Sequence, residues 1–333
     1  MNNKHLTPIR HILREQGLRA PAIDLALILD RVSLAARRIA RELTSAALTG
    51  ELGYTGTTNV QGEQVKKLDT WANSLMVELF GDGYPVCTLI SEEMEQPVHL
   101  EANCHERSYA VLFDPIDGSS NTDVDGPLGT IFAVRRRAPR HDAAPADILT
   151  AGAQQVMAGY FFNDPATTEI YTAGAGVSAF SLDRSVGEFL LWRDRIVMPQ
   201  RGSTYAVNEA NYNAWHQGAR NLIDHLSSHD DPVAHHSLRY AGSFAADFHR
   251  CLLEGGIYMY PSEVTAEGKS SGKLRMLYEA APMAMVAEQA RGRASNGKSR
   301  ILELVPARIH ERTPLYIGSA EEVALAESLG AED

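Results

Sequence analysis

Hydrophobic positions open the chain with helical spacing. Between Pro21 and Leu48, the residues Leu25, Leu29, Val32, Ala36, Ile39 and Leu43 recur every three or four positions, which predicts one long amphipathic helix closed by Gly50 and Gly53. GEQVKKLDTWANSLMVELF (62–80) predicts a second, with Val65, Leu68, Ala72, Leu75 and Leu79 on one face and Gly81 and Gly83 after it. The texture then changes to short apolar runs: VCTLI (86–90), YAVLF (109–113), TIFAV (130–134), VMAGYFF (156–162), TEIYT (168–172) and SAFSL (178–182). Their spacing predicts strands joined mostly by hairpins, with RAPRHDAAPAD (137–147) as a loop. Beyond RDRIVMPQRG (193–202), helical stretches such as MLYEAAPMAMVAEQA alternate with GGIYMYP and ILELVP, which predicts an α/β second half.

A length of 333 residues exceeds the roughly 250–300 at which single cores stop growing, so two packed halves or one large α/β unit are expected. Apolar residues at 44% and charged residues at 22% supply an ordinary globular core. The net charge of -11 argues against a nucleic-acid partner, though local cations or bound metal ions can reverse the field inside one cleft. Cys87, Cys104 and Cys251 are far apart in sequence and read as free thiols of a reducing compartment. No run has the length of a signal peptide or membrane span, so the expected setting is the cytoplasm.

Three stretches invite a ligand and lose it on their flanks. GRASNGKS (292–299) spells the P-loop pattern G-x-x-x-x-G-K-[ST], but a P-loop needs strand, loop, helix. Here PMAMVAEQA precedes and ILELVP follows, which predicts helix, loop, strand. Gly174-Ala175-Gly176 is followed by the strand-like VSAFSLD and reads as a hairpin turn. HLSSHDDPVAHH (225–236) reads as a solvated loop.

FDPIDGSSNTD (113–123) carries more chemistry. Asp114 is placed at a strand end, Pro115 bends the chain, and Asp117 returns, so two carboxylates and the Ile116 carbonyl can face one spot. Hard divalent cations favour such oxygen clusters. Gly118, Ser119 and Ser120 then offer N–H groups and hydroxyls to a phosphate. Asp, Pro, Gly and Ser also form plain turns, and on this stretch alone the two readings are comparable. Other acids shift the balance: Glu92 and Glu93 after VCTLI, Asp69 beside the seam of its helix, Glu63 near that helix's start, and Glu279 near Lys273 and Arg275. Together they point to metal-assisted phosphoester hydrolysis with two or more ions.

Longer segments carry a family resemblance. NVQGEQVKKLDTWAN, SEE, FDPIDGSSN with GTIF, YAVNE, RYAGSFAADFHR, GGIYMYP, GKLRMLYEAAPMA and IHERTPLYIGS are similar, in order and spacing, to class I fructose-1,6-bisphosphatases. These belong to the metal-dependent, lithium-sensitive sugar phosphatases, and the similarity runs from about residue 8 to residue 325. The resemblance implies a layered α/β/α/β/α fold with two sheets, divided into a metal- and phosphate-binding half (8–195) and a substrate-binding half (196–325). It implies two or more magnesium ions, or manganese in their place, on Glu92, Asp114, Asp117, Glu279 and the Ile116 carbonyl. Asp69 and Glu93 would orient and deprotonate the attacking water, and Asp117, Gly118, Ser119 and Ser120 would hold the 1-phosphate. Asn208, Arg239, Tyr240, Tyr260, Lys273 and Arg275 match substrate-side positions, with Arg239 reaching a neighbouring subunit of a dimer or tetramer.

The implied activity is release of the 1-phosphate of fructose 1,6-bisphosphate, in gluconeogenesis or the Calvin cycle. Sedoheptulose 1,7-bisphosphate is the alternative substrate, and a P-loop nucleotide-binding protein is the alternative from another class. The chain departs from the family at Arg291, where a glycine is usual, at Ala210, and in the spacer PSEVTAEGKSSG (261–272). AMP-regulated members hold the nucleotide phosphate in a turn resembling Gly-Glu-Leu-Thr at the start of the long helix. Here RAPAIDLALIL has Pro21 and Asp24 and no hydroxyl, and a Lys-Tyr pair reads Ser108-Tyr109, so weak AMP inhibition is expected.

Overall fold

The computed structural model describes residues 5–49, 53–58, 64–81, 85–100, 104, 109–137, 148–229, 235–264 and 270–333. Helices α1 (Pro8–Gln16), α2 (Ala20–Leu43), a single turn α3 (Ala46–Thr49) and α4 (Lys67–Phe80) come first. The predicted face of α2 is buried, with Leu29, Val32, Ala36 and Ile39 packed against Leu68, Ala72 and Leu75 of α4. α2 stops at Leu43 rather than Leu48 because hydroxyls intervene: Thr44 donates to the Arg41 carbonyl at 2.7 Å and Ser45 to that of Glu42 at 3.2 Å. α4 begins later than predicted, since Gln64–Lys66 forms a strand, β2, antiparallel to β1 (Tyr54–Thr58). Glu63 lies outside the described residues, as do 138–147 of the predicted loop.

The strands β3 (Val86–Ser91), β4 (Val98–His99), β5 (Tyr109–Asp117), β6 (Leu128–Arg136), β7 (Gln155–Asn163), β8 (Thr167–Thr172), β9 (Val177–Asp183) and β10 (Glu188–Ile196) form one sheet. Its order is β10-β9-β8-β7-β6-β5-β3-β4, and every pairing except the parallel β3–β5 is antiparallel. The strand β10 is absent from the hydrophobic reading because only Phe189 and Ile196 of this edge strand are buried. Gly174 and Gly176, with φ of 86° and 95°, make the expected β8–β9 turn.

A second sheet, ordered β12-β11-β13-β19-β17, uses β11 (Thr204–Ala206), β12 (Ser237–Leu238), β13 (Ile257–Tyr260), β17 (Arg293–Ser295) and β19 (Leu315–Gly318). Two ribbons complete the strands: β14 (Glu263–Val264) with β15 (Ser270–Ser271), and β16 (Leu274–Arg275) with β18 (Arg312–Thr313). Helices α6 (Phe244–Glu254) and α7 (Ala281–Gln289) lie between the sheets, where Phe248, Met283 and Val286 meet Ile131 and Ile170 on one side and Tyr258 and Ile317 on the other. Helices α5 (Gln217–Ser227) and α8 (Ala320–Ser328) cover the outer face through Leu222, Ile223 and Val323. With α2 and α4 on the far face of the first sheet, the layers read α/β/α/β/α, as the resemblance implied. No helix among the described residues is long and apolar enough to cross a membrane.

Two expectations are overturned. Cys87 and Cys104 are not free thiols but form a disulfide, leaving Cys251 as the buried free cysteine. The β3–β4 hairpin returns the chain alongside Cys87, whose carbonyl accepts from Leu100 N–H at 2.8 Å, and so brings two sequence-distant sulfurs together. His236, read as part of a solvated loop, is buried with its Nε2 3.1 Å from Glu322; residues 230–234 of that stretch lie outside the described residues.

GRASNGKS is no phosphate cradle. Its N–H groups are consumed internally, Lys298 and Ser299 donating to Asn296 Oδ1 at 3.0 and 2.7 Å and Gly297 to Ser295 Oγ at 3.1 Å. The Lys298 ammonium sits 2.9 Å from Asp333. The stretch itself contains β17, and Ile301–Glu303 is a 3-10 turn rather than the expected strand. Lys298→Ala is therefore expected to leave the activity that the resemblance implies within about twofold, as for any exposed ion pair; ATP binding that depends on Lys298 in calorimetry would contradict this. Arg291 adopts φ 69° just past α7, where Arg291 N–H meets the Glu288 carbonyl at 3.0 Å and Gly292 N–H that of Ala287 at 2.8 Å. This helix-ending turn favours glycine, so the departure there is local and strained.

Candidate active site

β3 and β5 run parallel, so their carboxyl ends deliver acids side by side. Glu92 follows β3 with its N–H on the Phe113 carbonyl at 3.2 Å, and Asp114 lies in the next strand position. Contrary to the expectation of a strand ending at Asp114, β5 continues to Asp117 with a register irregularity between Asp114 and Asp117. Such an irregularity re-aims successive side chains. Glu279 comes from a π-helical turn, Met276–Ala280, leading into α7. Carboxylate oxygens of Glu92, Asp114 and Glu279 lie within 4.8 Å of one another, and all three residues are buried.

That convergence is electrostatically expensive. Burial, then Glu92, Glu279 and Asp117, hold the Asp114 carboxyl well above its ordinary range, with Arg275 opposing. Burial and Glu92 push Glu279 up to about 8, again against Arg275. Arg275 Nη1 lies 2.8 Å from Glu92 and 3.9 Å from Glu279, whose Oε2 also accepts from the Arg275 N–H at 2.6 Å. One guanidinium cannot balance three carboxylates. The donor set is all oxygen, compact and overcharged, which fits a hard divalent cation.

Asp117, implied as a further ligand, lines the same cleft but turns toward α6. It accepts from Ser243 Oγ–H at 2.6 Å, Phe244 N–H at 3.1 Å and Ala245 N–H at 2.8 Å, so the convergent trio excludes it. Burial raises its carboxyl while these hydrogen bonds pull it down. Gly118 has φ 78°, and a Cβ there would meet Ser243 Cβ at 2.7 Å, so only glycine fits. Ser119 and Ser120 open a 3-10 turn at the cleft wall.

The cleft encloses about 360 Å³ and is also lined by Asp69, Glu93 and Ile116. Asp69 comes from the first turn of α4, and Glu93 from the turn after β3. Asn208, Tyr240, Tyr260, Lys273 and Arg275 line it too, with Lys273 Nζ 5.8 Å from the Tyr260 ring centre. Arg239 does not. It lines a separate groove beside Tyr240, Asp247 and His249, and its Nη1 donates to the Leu238 carbonyl at 2.8 Å. Tyr258, Gly242, Phe244 and Leu274 complete the wall without having been singled out from sequence, although strand alternation puts Tyr258 of GGIYMYP on the same face as Tyr260, a signal that could have found it.

Known proteins match nearly the whole chain. Models of the fructose-1-6-bisphosphatase N-terminal and C-terminal domains match residues 7–194 and 198–331. The class 1 fructose-1,6-bisphosphatase of Synechocystis sp. is 44% identical over 322 residues, covering 96% of this chain and 91% of that protein. That of Thermosynechococcus vestitus is 45% identical over 326 residues, covering 97% and 92%. The crystal structure of Leishmania major fructose-1,6-bisphosphatase in holo form superposes with a TM-score of 0.89 at 37% identity, covering 98% of both chains. Two family models that together span residues 7–331, and relatives aligned over nearly the whole chain and fold, place the chain in the fructose-1,6-bisphosphatase family.

Proposed function

We propose that this cleft hydrolyses the 1-phosphate of D-fructose 1,6-bisphosphate, yielding fructose 6-phosphate and phosphate, with magnesium held by Glu92, Asp114 and Glu279. The carrying observation is the buried trio lying in one cleft with the Gly118–Ser120 loop and with Lys273, Tyr240 and Tyr260. Two phosphate-binding regions in a single cleft favour a bisphosphate over a monophosphate. When bound, divalent cations polarise the phosphoryl oxygens, acidify the attacking water and stabilise the leaving sugar oxygen. The chain's own groups do the rest. Gly118–Ser120 hold the reacting phosphate through N–H groups and hydroxyls, while Asp69 and Glu93 orient the water and accept its proton. Asp117 keeps the phosphate loop against α6 chiefly through Oδ2, which accepts twice, and its Oδ1, which accepts once, retains a lone pair for a further cation. Lys273, Asn208, Tyr240 and Tyr260 hold the distal phosphate, whose binding energy aligns the reacting one. We assign the metal- and phosphate-binding half to 8–195 and the substrate half to 196–325.

Phosphate release from a panel of sugar mono- and bisphosphates, with and without magnesium, tests this reading. Fructose 1,6-bisphosphate is expected to be turned over only with the metal; metal-free turnover removes the mechanism. Sedoheptulose 1,7-bisphosphate in the same panel decides the alternative substrate.

Arg239 is the residue we assign to a neighbouring subunit's distal-phosphate site in a dimer or tetramer, since it faces out of its own cleft. Arg239→Ala is expected to raise KM about tenfold and leave metal binding intact, the loss of one charge-assisted contact. Mixing it with inactive Asp114→Asn should restore some low-KM activity, because sites with intact acids receive arginine from the other mutant. Subunit exchange without recovery excludes sharing.

AMP is expected to inhibit weakly or not at all. α2 has no side-chain cap and carries proline in its first turn. Of the three arginines that could replace the missing lysine, Arg135 is buried and spends Nη1 on the Ile148 and Thr150 carbonyls at 2.9 and 2.8 Å, Arg137 is buried beside Cys87, and exposed Arg136 lies over the Tyr109 ring at 5.9 Å. Cooperative inhibition at micromolar AMP in a magnesium-saturated assay overturns this.

A further inference from the structure

Tyr240 reaches the cleft from a turn between β12 and α6 that has no ladder of its own. Such a turn needs its backbone groups satisfied elsewhere. The N–H groups of Ala241 and Gly242 both point at Asp247 in the first turn of α6, donating to Oδ1 at 2.7 Å and to Oδ2 at 3.0 Å. Asp247 is only 5% exposed. On the other side, Asn121 Nδ2 donates to the Ala241 carbonyl at 2.9 Å and to that of Pro127 at 3.0 Å, tying the turn to the segment that follows the phosphate loop. Gly242 takes φ 80°, which lets the chain double back onto α6.

Two converging N–H groups require two acceptors. A carboxylate supplies both, whereas an asparagine supplies one and presents a donor to the other N–H. An acid in the first turn of a helix is also favourable to the helix dipole, which would make Asp247 a stability residue and nothing more. The geometry points further. The groups that Asp247 holds are the backbone of Ala241 and Gly242, immediately after Tyr240, while Ser243, next in the turn, donates to Asp117.

We infer that Asp247 is a positioning residue for substrate: it fixes the turn that holds Tyr240 in the cleft, and so acts on sugar-bisphosphate binding while leaving the acidic trio alone. This rests on the bisphosphatase reading above. Asp247→Asn leaves one buried N–H facing a donor, and the expected result is a KM for fructose 1,6-bisphosphate raised about tenfold, with kcat and the magnesium requirement changed by less than about twofold. In a Tyr240→Ala background the same substitution should add little, because both changes act through one contact. An unchanged KM, a fall confined to kcat, or full additivity with Tyr240→Ala overturns the inference. Asp247→Ser, which brings no extra amino group, is read the same way if the asparagine variant does not fold; failure of both to fold makes Asp247 a stability residue and also overturns it. Wild-type protein that does not turn over the bisphosphate counts against the proposed function, whereas wild-type turnover with an unaltered Asp247→Asn KM counts against this inference alone.

Discussion

Asp114→Asn is expected to abolish turnover, by a factor on the order of a thousand or more, in a protein that folds as well as the parent. The substitution keeps shape and removes charge at the centre of the trio. Asp114 is buried against Glu92 and Glu279, and its carboxyl lies well above its ordinary range. Its ionised form therefore costs the metal-free fold stability, and a neutral amide relieves that cost. In the absence of metal, the variant should melt at the same temperature as the parent or higher. The rise in melting temperature expected when magnesium is added to the parent should be lost in the variant, because stabilisation by a ligand scales with its binding. Glu92→Gln should lose turnover alike, without the gain in melting temperature, because Glu92 pairs with the buried Arg275 at 2.8 Å. Turnover within about tenfold of the parent at saturating magnesium would remove Asp114 from the chemistry.

Magnesium affinity is expected to climb about tenfold per pH unit through neutrality and to climb less steeply once Glu279, pushed up to about 8, has lost its proton. Burial and Glu92 push Glu279 up to about 8, and burial with the neighbouring acids raises Asp114. At neutral pH the metal-free cluster therefore retains a proton that a cation must displace. The sign for stability follows. A carboxyl raised above its unfolded value favours the metal-free fold below that value, and the benefit is lost as pH rises through about 8. Metal-free protein should thus weaken between about pH 4.5, the ordinary glutamate value, and about pH 8, and saturating magnesium should cancel the trend. Calorimetry in buffers of different ionisation enthalpy counts the released protons. A pH-independent affinity with no proton release would mean that the trio is ionised before the metal arrives.

Much of this site was legible in the sequence, and the limits have physical causes. The acids after VCTLI and YAVLF announced a paired strand-end site, because polar residues that terminate buried runs have few other places to go. The Gly118–Ser120 segment was readable from sequence either as a phosphate site or as a plain turn, and local pattern did not show that Gly118 is pressed against Ser243. Local pattern did not show that β3 and β5 are parallel, which sets Glu92 beside Asp114. Nor did it show that Asp117 would be taken by the start of α6, a partner 126 residues away at Ser243. The Cys87–Cys104 bridge was missed for the same reason, since it depends on tertiary placement. β10 escaped because an exposed edge strand carries little hydrophobic signal.

The engagement of Asp117 with α6 has a consequence for how the molecule breathes. The carboxylate stands on the first sheet, and its three donors belong to the helix layer shared with the second. Prising those layers apart strands a buried anion without partners, so the seam opens only at the cost of unfolding much of the fold. Slow amide exchange at Phe244 and Ala245 would then track global unfolding, and the phosphate loop becomes the clasp of a single foldon rather than a surface feature resting on a rigid frame.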